Sequence, residues 1–365
     1  MISGMRIRKD KDFISIFDEA TGQYVRSGVF KDGAETKQDP FMASFPELLD
    51  VGIMGHCVHG KSGLCVKAGV ECYQDGLHAS APNMALEDFE EIVRQCRGNT
   101  YQIALGGCGD PDQHEHFSEI LKLCWEAGIV PNFTTSGLGL TPELAQLCRE
   151  YCGAVAVSWY RSPYTLQAID CLLQAGVKTN IHYVVSRRTI EEAITRLRER
   201  SFPDGINAIV FLLHKPVGLG TQQQVLQADD PEVKEFLSLA CAGEHGYKIG
   251  FDSCSVPGLI NRFSSVDMDS VDTCEGARWS AYITADMKML PCSFDNQRQR
   301  WAVDLRSHTI QEAWDSPAFE EFREHFRRSC PKCEHRDACM GGCPICPEIV
   351  LCDKCTVQQK SLLTH

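Results

Sequence analysis

The sequence contains no run of about eighteen apolar residues, the length a membrane-spanning helix needs, so no membrane partner is expected. The segment from Met1 to Asp10 lacks the apolar core of a secretory signal, which makes the cytoplasm the expected location. Basic residues are scarce beside acidic ones: 36 Lys and Arg face 49 Asp and Glu, a net charge of −13. Nucleic-acid binding needs clustered cations to meet phosphates, so no such partner is expected. The negative balance reads as solubility. Internal repeats and low-complexity segments are also absent.

What the 365-residue chain has in quantity is cysteine, twenty in all. In a chain without a secretory signal this favours metal ligation over disulfides. Cys57, Cys65 and Cys72 share a glycine-broken loop directly after Leu48–Met54, which reads as a short buried strand. Ten more lie from Cys254 to Cys355. The other seven are scattered singly, mostly in helical patterns, where cysteine behaves as a small buried hydrophobe.

Patterning divides the chain in three. Residues 1–46 carry a hairpin signal, with alternation over Phe13–Phe17, a turn at Thr21-Gly22 and a return over Gln23–Gly28. Residues 47–252 alternate strand and helix patterns in six units, which predicts a parallel sheet with right-handed crossovers. Periodicity does not separate a doubly wound sheet from a partial barrel, but in both the site lies at the carboxyl ends of the strands. Residues 253–365 lose the alternation and hold a second hairpin, Trp279–Cys292, a helical stretch from Ile310 to Arg327, and the dense cysteines.

The strand exits collect unusual residues. They read Gly106-Gly107-Cys108-Gly109-Asp110-Pro111, Thr134-Thr135-Ser136-Gly137, Ser158-Trp159-Tyr160-Arg161, Ser186-Arg187-Arg188 and His214 to Gly220. Turn chemistry accounts for any one of them. Their common edge with the three-cysteine loop does not follow from turns alone.

These residues together resemble the radical S-adenosylmethionine (SAM) enzymes with a C-terminal SPASM domain. The resemblance runs over roughly residues 47 to 355. Gly106-Gly107-Cys108-Gly109-Asp110-Pro111 looks like the family's Gly-Gly-x-Glu-Pro segment, which contacts the SAM amino group. Thr135, Ser136 and Gly137 match its third-strand exit, Ser158 its fourth-strand serine, and Ser186 and Arg187 its fifth-strand polar residues. Cys330-x2-Cys333-x5-Cys339-x3-Cys343 is identical in spacing to the SPASM signature, with Cys274-Glu275-Gly276 and Pro291-Cys292 as its upstream half. Two features depart from the pattern. The first loop is wider than the usual Cys-x3-Cys-x2-Cys, and the usual last cysteine position falls on Ser361.

The resemblance implies an α/β fold: a partial (β/α)6 parallel barrel, with an N-terminal β-hairpin and a small cysteine-rich SPASM domain. It implies one 4Fe–4S cluster on Cys57, Cys65 and Cys72 whose fourth iron binds SAM. One or two auxiliary 4Fe–4S clusters would follow: one on Cys274, Cys292 and Cys343 with Cys254 a candidate fourth ligand, the other on Cys330, Cys333, Cys339 and either Cys352 or Cys355. Candidate acid–base groups are Tyr160, Arg161, Lys215 and Asp295.

The implied activity is reductive cleavage of SAM and hydrogen abstraction from a ribosomally made precursor peptide, by crosslinking, epimerisation or backbone tyramine excision, as in the splicease group and the maturases of Nif11-type precursors. An external electron donor is then required. Residues 1–46 are too few for a winged-helix recognition domain, which leaves room for a separate small peptide-recognition protein. Two alternatives stay open: a radical SAM dehydrogenase acting on a protein Cys or Ser or on a small molecule, and a zinc-bearing α/β binding protein.

Overall fold

The computed structural model describes residues 4–352, apart from Lys37, Glu244 and 264–269. It opens with three antiparallel strands, β1 (Met5–Lys9), β2 (Ile14–Asp18) and β3 (Tyr24–Arg26), in the order β1-β2-β3. The expected hairpin is β2–β3, and β1 extends it. Lone hairpins are marginal in water, and this sheet is anchored by its aromatics. Phe17 stacks on Tyr101 at 5.2 Å, and Phe13 meets Trp279 edge-on at 5.8 Å. A two-residue ribbon follows, β4 (Phe30–Lys31) with β5 (Ala34–Glu35).

The main sheet has seven parallel strands: β6 (Leu48–Met54), β7 (Gln102–Gly107), β8 (Val130–Thr135), β9 (Ala154–Ser158), β10 (Thr179–Val185), β11 (Ala208–Leu213) and β12 (Lys248–Phe251). Six match the expected units, and β12 adds a short seventh parallel to β11. Helices cover the outer face, and β6 turns Leu49, Val51 and Ile53 toward them, all fully buried. Burying each such side chain stabilises the fold by about 1.5–3 kcal/mol. Helix starts are set by local chemistry. The Thr141 hydroxyl accepts from the Leu144 N–H with Pro142 at the first helical position, and Ser162 and Pro163 repeat the device.

Strand order from β12 to β6 is sequential and unclosed, hence a partial barrel. The cysteine-rich segment adds to the same sheet. β13 (Ser280–Ile283) pairs in parallel with β6, then turns back antiparallel into β14 (Lys288–Leu290) and on to β15 (Val303–Asp304). The helical stretch expected over Ile310 to Arg327 is two helices, Ile310–Trp314 and Pro317–Arg328. Pro317 has no N–H to continue the first helix, and the Ser316 hydroxyl caps the second at Phe319.

Among the described residues no helix is long and apolar enough to cross a membrane.

Candidate functional site

The loop after β6 folds back on itself to bring thiols together. Cys57 caps the short helix Val58–Ser62, its sulfur accepting the Gly60 N–H at 3.2 Å. A side chain at Gly60 would collide with the Gly76 carbonyl, so the two arms of the loop touch through backbone. A β-carbon built at Gly76 would lie 3.5 Å from the Cys57 sulfur and 3.6 Å from that of Cys72. Both thiols therefore border one small space. Burial first, then the neighbouring Cys57 and Cys72, push the Cys65 thiol up to about 11. Burial likewise raises Cys57. Thiolates this costly to bury without a counter-charge suit iron, which deprotonates its ligands on binding.

The other strand exits close on this loop. After β7, Asp110 accepts from the Ser136 N–H at 2.9 Å and from the Ser136 hydroxyl, and its carboxylate lies 2.8 Å from His59 Nε2. That bond raises the His59 pKa. Gly106, Gly107 and Gly109 occupy the same exit, with open space over Gly106. After β8, Thr135 accepts the Gly137 N–H at 2.9 Å. Ser158 ends β9, half-buried. Tyr160 beyond it is pushed well up by burial, then by Asp110, Cys65 and Cys72, which places its phenol beside the loop. The exit of β11 reaches the loop through the Leu219 N–H, which donates to the Cys72 carbonyl at 2.9 Å.

Five of the candidate residues are held by other partners. Ser186 bonds Thr189 at the start of the next helix. Arg187 pairs with Asp230 at 2.9 Å. Arg161 pairs with Glu192. Asp295, fully buried, accepts the N–H groups of Arg300 at 3.2 Å and Trp301 at 3.1 Å, and so holds its own turn. Lys215, also buried, is ion-paired to Asp252.

The C-terminal cysteines fall into two groups. Cys330, Cys333, Cys339 and Cys352 line one concavity of about 320 Å³, counting the solvent at its mouth, with Pro257, Ile260 and Arg336 around it. Burial pushes Cys339 up to about 11. The second group, Cys254, Cys274, Cys292 and Cys343, is half-buried. Cys254 is raised first by its hydrogen bond with Cys343, then by burial. Burial and then Cys254 push Cys274 up to about 12. Burial and then Cys274 raise Cys292 as well. Cys346, buried, donates its N–H to the Cys343 sulfur at 3.3 Å. Cys355 lies outside the described residues. The described cysteines form no disulfide with one another, and among the described residues no three of His, Cys, Asp and Glu converge on a single-ion site. A four-iron cluster spreads its ligands, one thiolate per iron, and the donor sets fit that demand.

His59, inside the cysteine loop, is the Asp110 partner. One residue escaped the sequence reading: Asp50 lies on β6, where burial pushes it up to about 6. Its signal was a lone carboxylate in an apolar strand.

The SPASM iron–sulfur cluster-binding domain matches residues 274–340. Over 80% of this chain and 88% of the relative, the sequence is 22% identical to an AdoMet-dependent heme synthase of Methanosarcina barkeri. It is 23% identical to the mycofactocin maturase MftC of Mycobacterium tuberculosis, over 76% of this chain and 75% of the relative. The fold superposes on Streptococcus suis SuiB bound to S-adenosylmethionine with a TM-score of 0.69 at 14% identity, covering 96% of this chain and 98% of that one. On anSMEcpe with bound AdoMet the TM-score is 0.59 at 17% identity, over 84% and 87%. The chain is similar to radical SAM enzymes over most of its length and carries a SPASM domain. That domain's iron–sulfur description replaces the zinc alternative for the C-terminal cysteines.

Proposed function

We propose that the enzyme cleaves SAM reductively and uses the resulting radical to modify a ribosomally made peptide. One observation carries the reading: among the described residues the thiols of Cys57, Cys65 and Cys72 gather at the strand exits, apart from the two C-terminal groups, while the neighbouring Cys108 thiol is turned to the Gln74 carbonyl. A cluster there would have one iron free to chelate SAM, and with an external reductant it supplies the 5′-deoxyadenosyl radical that takes hydrogen from an unactivated carbon. The cofactors are thus SAM, the cluster on Cys57, Cys65 and Cys72, and auxiliary 4Fe–4S clusters on the other two groups.

The chain's own part is binding and exclusion. Gly106 leaves room for the SAM amino group beside the backbone of β7. His59 and Ser136 hold Asp110 in place. Ser158 and Tyr160 border the same mouth. Residues 47–252 serve as the SAM-binding barrel, and the segment from 253 as the cluster-bearing unit. The lack of a disulfide among the described cysteines suits a reducing cytoplasm.

A peptide substrate is supported by SuiB having been solved bound to its precursor peptide SuiA, and anSMEcpe with AdoMet and the Cp18Cys peptide. Anaerobic purification tests the cofactors: about twelve irons per chain are expected for three four-iron clusters. Mass spectrometry of candidate precursor peptides, incubated with SAM and reductant, tests the substrate. A brown, iron-replete protein that makes no 5′-deoxyadenosine from SAM would overturn the reading.

A further inference from the structure

Lys215 is one of the few buried cations among the described residues. It follows β11, and its ammonium is paired with Asp252, which follows β12. Asp252 is itself fixed, accepting the Leu213 N–H at 3.1 Å and the Ser255 hydroxyl at 2.6 Å. A buried ion pair is tolerated when the remaining valences are met in this way. On another side the ammonium lies 4.8 Å from the ring centroid of Phe294. Both contacts lead to the second thiol group, because Cys254 is two residues beyond Asp252 and Cys292 two residues before Phe294. Cys254 and Cys343 also act on the Lys215 charge directly.

We infer that Lys215 sets the reduction potential of the cluster held by Cys254, Cys274, Cys292 and Cys343, through a positive charge that Asp252 orients toward it, and that it does not act on substrate. The inference rests on the proposed function in one respect, that these thiols hold a 4Fe–4S cluster. The physics is charge on charge. Reduction adds one electron to a cluster already bearing four thiolates. A fixed cation in a poorly screened interior stabilises the reduced form more than the oxidised one. The potential is thereby raised and the cluster made a better electron acceptor. The concavity of Cys330, Cys333, Cys339 and Cys352 has no lysine among its lining residues, its one lining Lys or Arg being Arg336. Lys215 is a positioning residue of charge, acting through the cluster.

The test is an anaerobic redox titration of the full-length, cluster-loaded protein, followed by electron paramagnetic resonance, with iron and sulfide counted in each sample. Lys215→Met should move one midpoint to more negative potential by about 59 mV or more, a tenfold drop in its reduced-to-oxidised ratio for a one-electron couple. Lys215→Arg, which keeps the charge, should restore the wild-type midpoint. Asp252→Asn, which leaves the cation unneutralised, should move the same midpoint upward. The signal that responds to added SAM should not shift in any variant. Unchanged midpoints in an iron-replete Lys215→Met protein would overturn the inference. If that variant loads too little iron to titrate, an unchanged midpoint in Asp252→Asn overturns it instead. A wild-type protein without iron–sulfur signals would refute the proposed function and leave no cluster for Lys215 to tune.

Discussion

Tyr282 on β13 lies directly beside Asp50 on β6, strand neighbours in a parallel ladder. A carboxylate on the first barrel strand is thereby shut in by an aromatic ring from the cluster-bearing segment. Burial alone pushes Asp50 up from 3.8 to about 6. For an acid so shifted the folded state binds the proton more tightly. Stability therefore falls as pH rises from about 4 to about 6, and the penalty is complete above the folded pKa. Asp50→Asn should raise stability by roughly 1–3 kcal/mol at pH 8. The gain should vanish near pH 4, as thermal melts at the two pH values would show. A gain of equal size at both would mean that charge is not the cause.

Replacing Cys57, Cys65 or Cys72 with Ala should abolish 5′-deoxyadenosine formation and remove about four of the twelve irons, one cluster's worth. The two auxiliary groups should stay loaded. Colorimetric iron analysis beside chromatography of the SAM products checks both halves.

Cys352 and Cys346 should behave differently although both are buried. Cys352 lines the concavity with Cys330, Cys333 and Cys339, so Cys352→Ala should cost about four irons. Cys346 gives its backbone N–H to the Cys343 sulfur, a bond that Ala keeps, so Cys346→Ala should retain full iron. Iron loss in Cys346→Ala but not in Cys352→Ala would reassign the ligands.

Gly60→Ala should disable the SAM site without touching that residue's nearest thiol. Its β-carbon would run into the Gly76 carbonyl and part the two arms of the loop. A backbone shift of this kind costs on the order of 1–3 kcal/mol. The expected result is a folded protein, by circular dichroism, with the SAM-responsive resonance signal diminished or lost. Normal SAM turnover in this variant would show that the arms separate freely.

Much of this architecture was legible from the chain. The six strand patterns carry strong apolar periods, and the SPASM cysteines keep their spacing. What escaped was decided by distant partners. β12, Lys248–Phe251, is four residues long and begins with a lysine, too short for a periodic signal. β1 reads Met-Arg-Ile-Arg-Lys, as polar as a loop, and is a strand because β2 pairs with it. Arg187 and Asp295 lie near expected functional positions in sequence, yet Asp230 turns one aside and the 295–301 turn absorbs the other. Side-chain direction is set by the nearest satisfying partner, and one-dimensional spacing does not encode it.

The anchoring of Phe13 and Ala43 on Trp279 carries a consequence for how the protein is born. Chains emerge from the ribosome N-terminus first. The opening ribbon therefore waits for residue 279 before it can bury Phe13, and β6 waits as long for β13 to cover its free edge. For most of synthesis the nascent chain exposes an apolar strand with unpaired backbone groups, a template for wrong pairing. Recombinant yield should thus depend on slow translation and low temperature more than on the stability of the finished enzyme.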